Sequence, residues 1–439
     1  MGNLFGFAHF GFVDAVLCVL LRISLHITLL DIGCALKKRK RNFISRNYSR
    51  NKRRNCQYFC FQILNVMGTT IVTTETQSLR DPTSYIRKGT DQKYAINETA
   101  ESSNSKFWSL IVWKNVILFL YVHLAAIYGF YLAFTKIKGI TTVWGLVYTS
   151  CGGLGITAGA HRLWAHRSYK ATWQLRIILG IFQTIAFQNH IYEWARDHRV
   201  HHKFSETDAD PHNAKRGFFF SHVGWLLMKK HPDVKSKGKV VDMSDLEEDF
   251  VVVFQRRYYY ILMPLLTFII PTLVPVFLWN EDPWMAWYST MFRWVLALNC
   301  TWLVNSAAHM WGNKPYDKNI SPAENMSVAI LAYGEGFHNY HHVFPYDYKA
   351  AELGDYMLNP TTAFIDFFAR IGWAYSLKTM SRKTIMARIL RTGDGTHKRI
   401  GRSNSPDCHT QEDHVWGWGD ADMKEEDCKF VSVLEEEEE

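Results

Sequence analysis

The chain has 439 residues, 48% hydrophobic, 15% aromatic and 21% charged, with a formal net charge of +9. That apolar content excludes global disorder, whose precondition is low hydrophobicity. Eight scattered cysteines without a CxxC pair exclude a disulfide scaffold and a thiolate zinc or iron–sulfur site.

Residues 1–66 read as an atypical N-terminal extension. Leu4–Leu36 is apolar but holds Asp14, Arg22, His26 and Asp31, so it makes a poor lipid span. It lacks the basic leader of a signal peptide, and Gly6 stands where a myristoylation signal wants Ser or Thr. A basic run, Lys37–Arg54, follows, and Met67 is the expected start of the usual chain. Residues 67–106 are polar and read as an arm.

Residues 107–392 form the expected membrane domain with a cytosolic cap. Four apolar stretches reach the roughly 20 residues that a spanning helix needs: Val116–Phe134, Thr141–Ala160, Tyr260–Trp279 and Trp284–Val304. Trp and Tyr bracket them as in an interfacial belt. Pro264, Pro271 and Pro275 are tolerable in the third if neighbouring helices satisfy the freed carbonyls. Arg293 in the fourth must face protein rather than lipid. Short connections make each pair an antiparallel hairpin, so both large polar segments emerge on one side. Sixteen Lys and Arg residues lie between His161 and Arg257, whereas the first hairpin loop carries only Lys136 and Lys138. The positive-inside bias places the large segments and both termini in the cytosol. Residues 393–439, ending in Glu435–Glu439, read as a disordered acidic tail.

Of nineteen histidines, nine fall in clusters: His161 and His166 after the second span, then His198, His201 and His202, then His309 after the fourth span, and His338, His341 and His342. On a helix, residues three and four apart share a face, so His198 pairs with His201 or His202, and His338 with His341 or His342. His161 and His166 diverge on an ideal helix, which requires a local bend or two different ions. Nine imidazoles on one cap are too many for one ion, and two metals are the economical count. Imidazole suits zinc, copper, iron and nickel. An open His-rich pair at a membrane face suits oxygen activation by iron. Asp197, Glu206, Asp208, Asp210 and Glu335 are candidate outer partners that orient rings through their second nitrogen. Asn305 is placed to hold a water on one metal.

From about Trp113 to Gly395, nearly two thirds of the chain, the sequence closely resembles the membrane acyl-CoA desaturases of the stearoyl-CoA delta-9 type. The resemblance rests on the stretches Gly155–His166, Glu193–His212, Asn305–His309 and Gly334–His342, while His414–Asp420 looks like the tail of insect members. One departure is Asp208, where vertebrate members tend to carry His. The resemblance implies an all-α integral membrane protein, with four transmembrane helices in two hairpins and a cytosolic helical cap holding a di-iron centre. It implies iron ligation by His161, His166, His198, His202 and His341 on one side and by His201, His309, His338 and His342 on the other. It further implies acyl-CoA contacts by Asn115, Asn189, Arg196, Asp197, Lys229, Lys230 and Trp302.

The implied activity is insertion of a cis double bond, at delta-9, into a saturated fatty acyl-CoA in the endoplasmic reticulum membrane, with dioxygen and two electrons. The chain holds no GxGxxG fingerprint of a Rossmann fold and no haem motif, so electrons must come from a partner. The family resemblance identifies it as cytochrome b5, reduced by its NADH-dependent reductase. The tunnel walls are expected from the first, second and fourth spans, with Tyr148, Thr149, Gly152 and Gly153 near its end. Rival readings are a His-box membrane hydroxylase, a multi-span metal transporter and a nonenzymatic lipid-binding protein. A transporter wants ligands at mid-span, where only His123 is found.

Overall fold

The computed structural model describes residues 107–352, 355–397 and 431–434. The expectations for residues 1–66, for the arm up to 106, and for most of the tail, His414–Asp420 included, lie outside the described residues.

Helices occupy all four apolar stretches. Helix α1 spans Trp113–Thr135 and α2 spans Gly139–Leu154, continuing as a π-helix over Gly155–Ala165. Helix α3 is Trp173–Ala186 and α4 is Ile191–Lys203. The third stretch begins earlier than expected: α5, Phe250–Pro264, passes through a π-turn at Leu265–Ile269 into α6, Ile270–Trp279. The fourth is α7, Pro283–Asn305. After α7 the helices are shorter: α8 (Ala307–Met310), α9 (Met326–Leu331), α10 (His338–Val343), α11 (Pro360–Arg370) and α12 (Arg382–Thr392).

Local chemistry sets these boundaries. Asp282 caps α7 by accepting from the backbone amides of Trp284 and Met285, with Pro283 at the first helical position. Helix α6 stops at Asn280, whose φ of 53° is left-handed. Trp113–Thr135 and Phe250–Trp279 are long and apolar enough to cross a membrane, with mean hydropathies of 2.0 and 2.3. Large apolar side chains stand outward on the long helices, among them Ile117, Phe134, Val143, Phe277 and Leu278. Such a continuous exposed apolar surface is that of a membrane protein.

The two hairpin turns touch. Glu281, buried in the second turn, accepts from the backbone amide of Lys138 at 2.9 Å and from Thr141 Oγ1 at 2.5 Å. The Lys138 ammonium in turn donates to the carbonyls of Trp279 and Asn280. Helices α1 and α7 approach so closely that a Cβ on Gly129 would lie 2.2 Å from the Tyr288 carbonyl oxygen. The seam buries Val122, Ala126, Leu298 and Trp302.

The prolines of α5–α6 are accommodated by the neighbouring helices. Pro271 has no N–H to offer Thr267, and the Arg293 guanidinium donates to that carbonyl instead. Pro275 likewise frees the Pro271 carbonyl, which accepts from Trp144 Nε1 at 3.2 Å. Arg293 therefore faces protein, with its guanidinium also over the Tyr148 ring at 4.8 Å.

The main core lies where α3, α4 and α11 meet the π-helix. Leu175, Leu179, Ile191 and Ile365 are fully buried there. Each contributes about 1.5–3 kcal/mol of transfer free energy. The fold is not purely helical. Strand β1, Lys170–Ala171, pairs with β2, Ala374–Tyr375, and β3, Leu377–Met380, pairs with β4, Val431–Leu434, both antiparallel. Strand β4 falls in the segment expected to be disordered.

Candidate metal centre

Four elements bring the nine histidines together at one end of the helical hairpins. The π-helix carries His161 and leads into His166, whose amide donates to the His161 carbonyl at 3.0 Å. That i→i+5 bond explains the spacing. Five residues turn a π-helix little more than once, so both rings fall on one face, whereas an α-helix would splay them. This is the local distortion that the spacing requires.

The boxes on α4 and α10 divide in the same way. His198 and His202, four apart, join His161, His166 and His341, with ligand atoms all within 4.8 Å of one another. His338 and His342, also four apart, join His201 and His309. Each box thus sends its outer pair to one group and its middle histidine to the other. The groups abut: the His202 and His342 rings stack with centroids 4.2 Å apart.

Within each group the Nε2 atoms converge. They stand 2.8 Å apart for His166 and His198, 3.0 Å for His161 and His341, and 2.9 Å for His338 and His309. His161 Nδ1 is 2.9 Å from Glu335 Oε2, and His201 Nδ1 is 3.0 Å from Asp210 Oδ1. A ring that donates from Nδ1 turns a bare Nε2 lone pair inward. Nε2 atoms converging to about 3 Å, with carboxylates at the Nδ1 of His161 and His201, are the donor arrangement of a borderline transition-metal cation, so the residues fit the implied metal. Burial, then the neighbouring rings, push His166, His198, His202, His338, His341 and His342 well below the usual histidine range. Neutral imidazole is the ligating form.

The carboxylates are themselves held. Glu335 Oε1 receives Arg162 Nη2 at 3.0 Å, and Arg162, 1% exposed, also donates to the Tyr348 carbonyl and Asn359. Burial raises the Glu335 pKa, but Arg162 and His161 outweigh it and hold the carboxyl below its ordinary value. Of the five outer partners expected, Glu335 and Asp210 meet rings, and Glu206 stands 3.9 Å from His309 Nδ1. The other two expectations are corrected. Asp197 precedes His198 by one residue on α4, which rotates it off the ring face toward Arg196 and Lys230. Asp208 is exposed in the loop beyond.

The seven expected acyl-CoA contacts occupy several environments. Arg196, Asp197 and Lys230 form one charged cluster, with Arg196 Nη2 2.8 Å from Asp197 Oδ1. Asn115 Nδ2 donates to the Leu226 carbonyl at 2.7 Å, and the Lys229 amide donates to the Leu110 carbonyl. Asn189 has a left-handed φ of 66°, and its carbonyl accepts from Gln183. Trp302 is buried against Phe119 and His123.

A cavity of about 350 Å³ leads from the histidines into the helices, within the size range of small-ligand sites. His161, His198, His201 and His338 stand at its head, with Asn305 beside them. Its walls are Thr149, Gly152 and Gly153 of α2, Ala297 and Thr301 of α7, and the 330–335 segment. Helix α1 does not line it. Nor does Tyr148, which turns to the Leu266 carbonyl at 2.6 Å. Sequence reasoning missed Trp194, Gln188 and Tyr333, which do line it. Trp194 stacks on His198 with centroids 5.0 Å apart, and Gln188 Nε2 donates to Thr301 at 2.9 Å. A Trp four residues before a box histidine was the available signal.

The fatty acid desaturase family profile matches residues 138–352. Over 339 residues, 77% of this chain and 90% of the relative, the sequence is 62% identical to an acyl-CoA Delta-9 desaturase of Acheta domesticus. The chain belongs to the fatty acid desaturase family. A second relative from that species, an acyl-CoA Delta12-desaturase, is 58% identical over 72% of this chain and 84% of its own length. An acyl-CoA Delta(11) desaturase of Trichoplusia ni is 54% identical over 71% and 85%. The protein is an acyl-CoA desaturase, an oxygen-dependent oxidoreductase acting on a fatty acyl-CoA. The position of its double bond differs among these relatives. The desaturase needs a redox-active group, and the two buried histidine groups are where one would sit.

Proposed function

We propose that the chain is a delta-9 acyl-CoA desaturase of the endoplasmic reticulum membrane, with four spans and both termini in the cytosol. His161, His166, His198, His202 and His341 hold one iron ion, and His201, His309, His338 and His342 hold the other. The observation that carries this reading is the pair of converging histidine groups at the head of a largely apolar cavity. The Lys138–Glu281 contact supports the topology, because joined turns at one end require both histidine-bearing ends at the other.

When bound, the two irons supply the dioxygen-dependent oxidation that removes a hydrogen from each of two adjacent methylenes, chemistry that acid–base groups cannot start on an unactivated chain. The protein's own residues supply the rest. Glu335 and Asp210 fix the orientation of His161 and His201. The cavity walls exclude water and hold the chain, so that one carbon pair stands beside the histidines. Asn305, lining the head of the cavity, is placed to hold a water there. Arg196, Lys229 and Lys230 present positive charge for the CoA phosphates, with Asn115, Asn189, Asp197 and Trp302 as the remaining contacts. Two electrons come from cytochrome b5 and its NADH-dependent reductase.

Expression of the full chain in a desaturase-deficient yeast tests this reading. Growth without added unsaturated fatty acid and a delta-9 cis alkene in the lipids are expected. Alkene at another position would reject delta-9, and hydroxylated product without alkene would reject desaturation. Fewer than two irons per purified chain would reject the ligand assignment.

A further inference from the structure

Tyr333 stands on the wall of the cavity in a conformation that bulky residues seldom adopt, with φ at 55°. Its position is fixed from three directions. The ring lies against α2 so closely that a Cβ on Gly153 would be 2.8 Å from it. The hydroxyl is 3.0 Å from Ser150 Oγ. Ser150 commits its own proton to the Leu146 carbonyl at 3.0 Å, so Tyr333 donates. The Tyr333 carbonyl accepts from Thr361 Oγ1 at 2.8 Å, and with that proton committed the Thr157 hydroxyl of the π-helix, 2.8 Å away, donates to Thr361. Two residues further on, Glu335 holds His161.

One short segment therefore joins a cavity wall to the orientation of a histidine at its head. Strained backbone persists only where its surroundings hold it, and here the ring, the hydroxyl and the carbonyl are all held. We propose that Tyr333 is a positioning residue for the acyl chain: latched to Ser150 and seated on Gly153, it determines which methylenes lie beside the histidines, and so which bond is oxidised. The inference rests on the cavity being the acyl site.

The test uses the full chain in the desaturase-deficient yeast, reading double-bond position and chain length in the products. Tyr333→Leu removes the ring, Tyr333→Phe removes only the hydroxyl, and Ser150→Ala removes its acceptor. Ala297→Trp fills the cavity from its α7 wall and tests the cavity reading on its own. Tyr333→Leu is expected to raise the ratio of minor to major positional isomers. Tyr333→Phe and Ser150→Ala are expected to raise it by equal, smaller amounts, roughly two- to tenfold, as one lost hydrogen bond would. Their double variant is expected to go no further than either alone. A purely structural role would lower total product at an unchanged isomer ratio, and that result overturns the proposal. If Tyr333→Leu does not accumulate, an unchanged ratio in both milder variants overturns it equally. A shift with Ala297→Trp but none with the others refutes the role of Tyr333 alone, whereas silence in all four refutes the cavity reading as well.

Discussion

Glu281 and Lys138, from the turns of two different hairpins, share a hydrogen bond of 2.9 Å between a buried carboxylate and a backbone amide. Glu281 also accepts from Thr141 and from the Asp282 amide, so one side chain closes both turns. Glu281→Ala leaves the buried Thr141 hydroxyl without its acceptor, at a cost of about 1–3 kcal/mol, and removes the acceptor of the partly buried Lys138 and Asp282 amides. The variant should melt lower in detergent, with iron content per folded chain unchanged. An unchanged melting temperature would mean that the turns are held elsewhere.

Glu335 fixes His161 and is itself fixed by Arg162. Glu335→Gln keeps the shape but removes the charge that both partners face. Loss of an outer-shell carboxylate typically costs about 10–100-fold in metal affinity. Titration with a chelator, followed by iron analysis, should show release at correspondingly lower chelator concentration. Asp197→Asn is the contrast: Asp197 pairs with Arg196 and Lys230, so iron retention should match the unmodified enzyme while the apparent affinity for acyl-CoA falls.

The division of each box between the groups makes a stoichiometric prediction. His166 belongs to one group and His309 to the other. His166→Ala and His309→Ala should each retain about half of the iron, from different sites, because a lost ligand weakens its own ion most. Both should lose desaturation, since each group stands by the same cavity. Retention of all the iron by either variant would dissolve the two-group assignment.

The four apolar helices and the nine histidines were legible because both are written locally, in run length and in spacings of three and four. The five-residue spacing of His161 and His166 announced an irregularity without its form. The π-helix starts at Gly155, where a Cβ would lie 2.2 Å from the Gln183 backbone nitrogen of α3, a contact between distant segments that no local spacing encodes. Which box histidine joins which group depends on the relative rotation of α4 and α10, which no local pattern encodes. The same holds for Tyr333, whose partners Ser150 and Gly153 are far away in the chain. Asp197 misled because adjacency to a ligand in sequence is not adjacency on a helix face.

The proline-rich segment gives a prediction separable from catalysis. Arg293 donates to the Thr267 carbonyl, the one that Pro271 cannot serve. Arg293→Leu strands that buried carbonyl, at a cost of about 1–3 kcal/mol. Pro271→Ala in the same chain restores an N–H four residues beyond Thr267, so the helix can satisfy its own carbonyl. The double variant should then recover part of the lost melting temperature, and the coupling between the two changes should be favourable. Trp144→Phe with Pro275→Ala repeats the logic one turn along, where Trp144 serves the Pro271 carbonyl. Strict additivity in both pairs would show that these side chains stabilise the bundle by filling space rather than by serving the freed carbonyls.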